Sequence, residues 1–500
     1  MKKLLHPAVI ACLALGGMTG LHAQDTSAAF TAPDRTTQDW MSAGKAAISA
    51  RLEQAPNTGR AKNVILFIGD GMGVSTLTAG RIFAAQQQGK SGEETALSFE
   101  RFPYSALVKT YNVDAQVADS AGTASAMNTG AKTRIGVINS APHVAQGTCP
   151  EADDAWLTPL AATAERRGMK TGIVSTARLT HATPAGVYAH STNRDWENDS
   201  DMPDAIREAG CRDIAQQILN DLGGNGLDVA LGGGYRNFVP SKVEGGRRTD
   251  GRDLTKEWQQ RDGAAFVRDA GGLEQAVAEG RAPLLGLFSD SHMAYETDRG
   301  DDQPSLASMT RAAITTLQKE DGGFYLMVEA ARIDHAHHGG NAHRALDDTR
   351  ALSEAVATAL DMVDVDNTLI LVTADHSHTF TMAGYPRRGN PITGLVVPPH
   401  GESPTKAKDD KPYTTLGYWT GPGSITGERP QETMESVRAP DYQQQALVPT
   451  RSETHGGEDV ALYAIGPQAH LARGLMEQNV IYHLMRHALG DTEGATPAAQ

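Results

Sequence analysis

Residues 63–68, NVILFI, are apolar after the first position and close on Gly69-Asp70-Gly71-Met72-Gly73. An apolar run of strand length bounded by glycines reads as a strand buried on both faces of a parallel sheet. The pattern recurs along the chain. KTGIVST at 170–176 precedes Arg178 and His181, and 228–231 precedes three glycines. Further short runs lie at 284–288, 324–328 (leading into Glu329), 368–373 (leading into Asp375 and His376) and 459–465, after His455. Helical stretches are expected between them, over 157–167, 213–222, 306–319 and 344–361. Strands alternating with helices predict a three-layer α/β/α sandwich around a mostly parallel central sheet. Residues 241–282 and 386–448 break the rhythm, are too long for ordinary loops, and read as insertions. A helix over 36–52, carrying Trp40, Ile48 and Leu52, precedes the first strand.

The chain begins MKKLLHPAVIACLALGGMTGLHAQ. Lys2 and Lys3, an apolar stretch to about Leu15, and Leu21-His22-Ala23 together read as a secretory signal peptide over 1–23. Residues 24–60 then form an N-terminal arm and 61–500 the main domain, with a periplasmic or secreted location expected. No other stretch is long and apolar enough to cross a bilayer. Cleavage removes Cys12 and leaves Cys149 and Cys211, an even pair that in an exported chain suggests one disulfide. The net charge of −15 argues against a nucleic-acid partner, since no basic surplus exists to neutralise a phosphate backbone. A small phosphate substrate stays open, because a local positive site can sit in an acidic protein.

Ligands of open α/β sheets bind at the carboxyl ends of the strands, and the chemistry-bearing residues collect there. Asp70 follows the first run. Glu329 opens VEAARIDHAHHGG, which carries Arg332, Asp334, His335, His337 and His338. Asp375, His376 and His378 lie in VTADHSH, and His455 in SETHGGED. Carboxylate with imidazole suits zinc, and carboxylate with hydroxyl oxygen suits magnesium. Asp334 and His338, four apart, share a helical face. A pair of such ions serves phosphoryl transfer.

In ADSAGTASAMNTG, Ser120 stands before a run of small residues expected to be helical over 121–127. A helix start offers free N–H groups and a positive dipole end to an anion. Alone, Ser120 reads as a helix cap; with metal-ligand candidates at several strand ends it reads as a nucleophile that becomes phosphorylated. A guanidinium is then needed for the phosphate oxygens. Arg194 in STNRDW, Arg178 and Arg332 are level candidates on these grounds.

The motifs GDGMG, ADSAGTASA, THATPAG, NRDW, VEAARIDHAHH, VTADHSH and THGGEDV, in that order, resemble those of the alkaline phosphatase family. The likeness covers about residues 62–487. It implies a metal-dependent hydrolase of small phosphate monoesters that works through a covalent phosphoserine at Ser120; metal-bound hydroxide and free alkoxide, favoured as pH rises, then predict an alkaline optimum. It also implies two zinc ions and one magnesium. Asp334, His338 and His455 would hold the first zinc. Asp70, Asp375 and His376 would hold the second, with Ser120 beside it. Thr183 and Glu329 would hold magnesium together with Asp70. Arg194 would clamp the phosphate, with Asp119, His181 and His335 lining its site; Asp119, not needed as a metal ligand in this scheme, is expected to orient Arg194 and not to touch zinc. His181 and His335 stand where enteric members have Asp and Lys, so the chain resembles the animal and marine-bacterial branch. Residues 386–448 resemble the animal crown insertion through KPYTTLGYWTGPG and YQQQALVP. The helix around 40–52 resembles an arm that embraces a partner subunit, which implies a homodimer. Cys149 and Cys211 match the family's bridge. Ser289 replaces a Glu of the animal calcium site, so a fourth metal is not implied. A sulfatase would need a C/S-x-P-x-R motif, which Ser120-Ala-Gly lacks, and a diesterase typically uses Thr without the arginine clamp. A non-catalytic metal-binding protein has no need of a serine at a helix start.

Overall fold

The computed structural model describes residues 29–491 apart from position 221. The expected signal peptide and Cys12 lie outside the described residues. The sheet contains β1 (Asn63–Gly69), β2 (Tyr104–Lys109), β3 (Lys170–Arg178), β4 (Val229–Gly233), β5 (Ala265–Val267), β6 (Leu284–Leu287), β7 (Phe324–Ala330) and β8 (Thr368–Ala374). Strands Val460–Ile465 and Gly474–Glu477 complete a ten-stranded sheet. Its order is Gly474–Glu477, β2, Val460–Ile465, β8, β1, β7, β3, β4, β6, β5. Val460–Ile465 runs antiparallel to both of its neighbours, and every other pairing is parallel.

Every residue of β1, β7 and β8 is buried, as a parallel sheet covered on both faces requires. Helices Val74–Gln86, Leu306–Leu317 and Ala342–Met362 pack together in one layer. Ser120–Thr129, Leu160–Arg166, Ala182–Tyr188 and Val480–Ala488 form the other. β1 alone buries Val64, Ile65, Leu66, Phe67 and Ile68 completely, each contributing about 1.5–3 kcal/mol of transfer free energy. The expected three-layer α/β sandwich is therefore present.

Three strands were not anticipated from the apolar pattern. β2 lies near the sheet edge and alternates buried with exposed positions, β5 is three residues long, and Gly474–Glu477 is an edge strand exposing Leu475. The helix expected over 213–222 is a single turn, Ile214–Gln217. The chain then turns through Leu222 and Gly223, both at positive φ. The stretch 241–282 holds short helices Leu254–Trp258 and Ala270–Ala278 around β5. Within 386–448, Leu416–Gly421 and Ala446–Pro449 join Phe380–Met382 in a separate three-stranded sheet. Cys149 and Cys211 form a disulfide. The first helix, Thr37–Glu53, starts at a capping box of Thr36 and Asp39 and buries none of its residues.

Candidate active site

Sheet register assembles the site. β1 lies between β7 and β8, with Gly69 opposite both Ala330 and Ala374, and Ile68 opposite Glu329. The residues that follow, Asp70 and Asp375, therefore leave the sheet side by side, with Glu329 one step below. Gly71 then turns the chain at φ +68°, where a Cβ would stand 2.4 Å from the His378 ring. Its N–H donates to Asp375 Oδ1 at 2.9 Å.

Three groups of ligand atoms meet here: Asp334, His338, His378 and His455; Asp70, Asp375 and His376; and Asp70, His181 and Glu329. In the first, His338 Nδ1 donates to the Glu453 carbonyl at 2.6 Å and His455 Nδ1 to the Ala118 carbonyl at 2.7 Å. Each ring has then spent its proton, so two bare Nε2 lone pairs face one another at 3.1 Å. Asp334 Oδ1 lies 3.4 and 3.5 Å from those nitrogens. Lone pairs so opposed call for a cation between them. A two-residue ladder pairing His455 with His378 delivers His455 to this place.

In the second group, His376 Nε2 lies 3.2 Å from Asp375 Oδ2, 3.5 Å from Asp70 Oδ1 and 3.1 Å from Ser120 Oγ. The His376 ring stacks on His455 at 3.6 Å between centroids, which joins the first two groups. In the third, both Asp70 oxygens, Glu329 Oε1, Thr183 Oγ1 and His181 Nδ1 are buried without a hydrogen-bond partner. Burial, then the neighbouring Asp375, Asp334 and Glu329 charges, holds the Asp70 carboxyl well above its usual range. Burial likewise pushes Glu329 up to about 7. Orphaned oxygens and mutually repelling buried carboxylates fit divalent cations. The donor sets, imidazole-rich in the first group and oxygen-rich in the third, fit zinc and magnesium respectively.

Ser120 opens the helix Ser120–Thr129, but Asp119 caps it, accepting from Gly122 N at 3.1 Å. The capping role open to Ser120 in the sequence thus falls to its neighbour, and the serine hydroxyl is free to face His376. The other Asp119 oxygen accepts from Arg194 Nη1 at 3.0 Å. Arg194 Nη2 lies 3.2 Å from His181 Nε2, and the His335 ring is 5.4 Å from that of His181. All the ligand candidates named from the sequence converge, and of the three arginines Arg194 is the one held by Asp119.

Two residues without a role in the sequence reading belong to this site. His378 donates from Nε2 to Asp334 Oδ1 at 2.8 Å, and its Nδ1 bonds the Glu453 carboxylate. Burial pulls this imidazole down, and its bonds to Asp334 and Glu453 outweigh it, lifting it to about 9. Bonded through both ring nitrogens, His378 orients the Asp334 carboxylate. Glu453 is buried and holds Thr379 N at 2.7 Å with its other oxygen. VTADHSH put His378 in view; nothing in pattern or spacing marks Glu453. His337, in the ligand-bearing motif, bonds Thr76 Oγ1 at 3.0 Å and Tyr418 OH at 2.8 Å and packs the helix against the insertion sheet.

A serine at a helix start, set between carboxylate–imidazole groups at the carboxyl ends of a parallel sheet, defines a metal-dependent hydrolase. The family model described as Alkaline phosphatase matches residues 61–490. The tissue-nonspecific alkaline phosphatase isozyme of Gallus gallus is 43% identical over 456 residues, 86% of this chain and 85% of that protein. The Homo sapiens isozyme is 40% identical over 467 residues, 90% and 88% of the two chains. The crystal structure of Thermus thermophilus alkaline phosphatase superposes with a TM-score of 0.63 at 27% identity, covering 88% of this chain and 94% of that one. The chain belongs to the alkaline phosphatase family and is a phosphoric monoester hydrolase.

Proposed function

We propose that the protein is an exported alkaline phosphatase that turns over phosphate monoesters through a phosphoserine at Ser120, with two zinc ions and one magnesium. The observation that carries this reading is the Ser120 hydroxyl, 3.1 Å from His376 Nε2 and free of capping duty. Asp334, His338 and His455 would hold one zinc, Asp70, Asp375 and His376 the other, and Asp70, Thr183 and Glu329 the magnesium. Bound there, the ions supply Lewis acidity to the reacting oxygens. Ser120 Oγ attacks phosphorus, the P–O bond to the alcohol breaks, and water then cleaves the phosphoserine and frees inorganic phosphate. Arg194 forks onto two non-bridging oxygens, steered by Asp119. His181 and His335 line the same site, and the helix start adds a favourable dipole. The disulfide agrees with an oxidising compartment.

Comparing a phosphate monoester, a phosphate diester and a sulfate ester at alkaline pH tests this reading. The monoester is expected to be turned over fastest by several orders of magnitude. Preference for either other ester would sink it, as would bound metal with no ester turnover.

Glu453 gives a second test. It braces Asp334 through His378 and takes the His338 Nδ1 proton on its carbonyl. Glu453→Gln keeps the shape and removes the charge, so zinc affinity is expected to fall about 10–100-fold. Competition with a chromogenic chelator measures this, and affinity within twofold of wild type would contradict the bracing role.

We also read the protein as a homodimer. Thr37–Glu53 presents Trp40, Met41, Ile48 and Leu52 exposed, and a second subunit would cover them. Light scattering is expected to give twice the chain mass; a monomer at micromolar concentration would refute it.

A further inference from the structure

The proposed reaction uses Arg194, and the two arginines that the sequence left level with it lie along one strip of arginines and histidines leading from it. Arg194 Nη2 touches His181 Nε2 at 3.2 Å. The His181 ring lies 5.4 Å from His335 and 5.3 Å from His292, which are 4.1 Å from each other. Arg332 Nη1 is 3.0 Å from His335 Nδ1, and its guanidinium sits 3.7 Å over the Tyr295 ring. His292 in turn contacts Arg178. All of these side chains are only partly buried.

Two of the three guanidiniums already carry a carboxylate, and Arg332 does not. Glu197 is ion-paired with Arg178, and Asp119 with Arg194. Three acids face Arg332. Asp298 is held by Arg344 at 2.7 Å, and Asp334 belongs to the metal group. Asp348 accepts from Glu296 N at 3.1 Å, and burial raises its carboxyl to about 8. Arg332 makes no ion pair among the described residues, and its Nε is buried without a hydrogen-bond partner. Its bond into His335 Nδ1 places that ring's proton on Nε2, which leaves a free imidazole N–H beside a free guanidinium edge. In a chain of net charge −15, one unpaired guanidinium with a free imidazole N–H beside the proposed phosphate site suits a second anion.

We propose that Arg332 and His335, flanked by His292 and Arg178, form a second anion subsite that seats a further phosphate carried on the leaving group. The preferred substrate class is then bisphosphates. This rests on the phosphatase reading above. Tetrahedral phosphate oxygens accept from the Arg332 fork and from His335 Nε2–H while the scissile group lies at Arg194.

Turnover of glucose 1,6-bisphosphate and glucose 6-phosphate by the metal-loaded enzyme tests the proposal. The wild type is expected to favour the bisphosphate about tenfold in kcat/KM, chiefly through KM, with the preference shrinking as salt rises. Arg332→Gln is expected to bring the ratio close to one, and Arg332→Lys to restore part of it, which separates charge from packing. A ratio near one in the wild type, or one unchanged in Arg332→Gln, overturns the subsite while leaving the phosphatase intact. Turnover of neither ester overturns the phosphatase reading, and the subsite's role falls with it.

Discussion

Ser120→Ala is expected to lower kcat for a phosphate monoester by about three orders of magnitude or more, because the hydroxyls that follow on its helix are engaged. Thr123 Oγ1 bonds the Asp119 carbonyl at 3.1 Å, and Ser125 Oγ bonds the Ala121 carbonyl at 2.7 Å. Both are bound into their own helix. The fold survives the change. Asp119 caps the helix, alanine is a good helix former, and the site loses one oxygen. Kinetics and a melting curve check this together: turnover collapses while Tm stays within a few degrees. Wild-type turnover in Ser120→Ala would end the phosphoserine mechanism.

Stripping the metals with a chelator is expected to abolish activity and to expose the repulsion that the cations offset. Glu329 isolates the effect. Burial raises its carboxyl to about 7 in the fold, against 4.5 for an ordinary glutamate. Between those values the folded chain binds more protons than the unfolded one, so stability falls as pH rises. The penalty is absent below the unfolded pKa and complete above the folded one, at about 3 kcal/mol. The metal-free Glu329→Gln variant should therefore exceed metal-free wild type by about that much at pH 8, with the gain fading towards pH 5. Comparing variants at each pH cancels the buried histidines His181, His337 and His376. These are held neutral chiefly by burial and act in the opposite direction as pH falls. With metal restored, the advantage should vanish or reverse, because the cation takes the proton's place. Denaturant midpoints measure it. A Glu329→Gln advantage that does not change with pH would show that Glu329 is not ionised against its surroundings.

The apolar runs of β1, β7 and β8 made the sheet legible because strands buried on both faces have no polar positions to obscure them. The polar residues that end those runs stood out for the same reason. β2 and Gly474–Glu477 were not legible, since edge strands alternate or stay short and resemble loops. The turn at Ile214–Gln217 was overestimated because its helical composition continues past the point where the backbone reverses.

The sequence by itself determined where Asp70, Glu329, Asp375 and His376 emerge, since each adjoins its own strand, and it marked Ser120 by the small residues that follow. On the residues themselves Arg194, Arg178 and Arg332 were level, and the tertiary structure shows which of the three Asp119 holds. Asp119, expected from the sequence to orient Arg194, lies 75 residues from it and bonds it at 3.0 Å, a distance that only the fold sets. Tertiary structure also decided that Asp119 caps and Ser120 does not, and that Glu453 and His378 brace Asp334. Hydrogen bonds depend on distances between elements. Periodicity reports only which face of one element is buried.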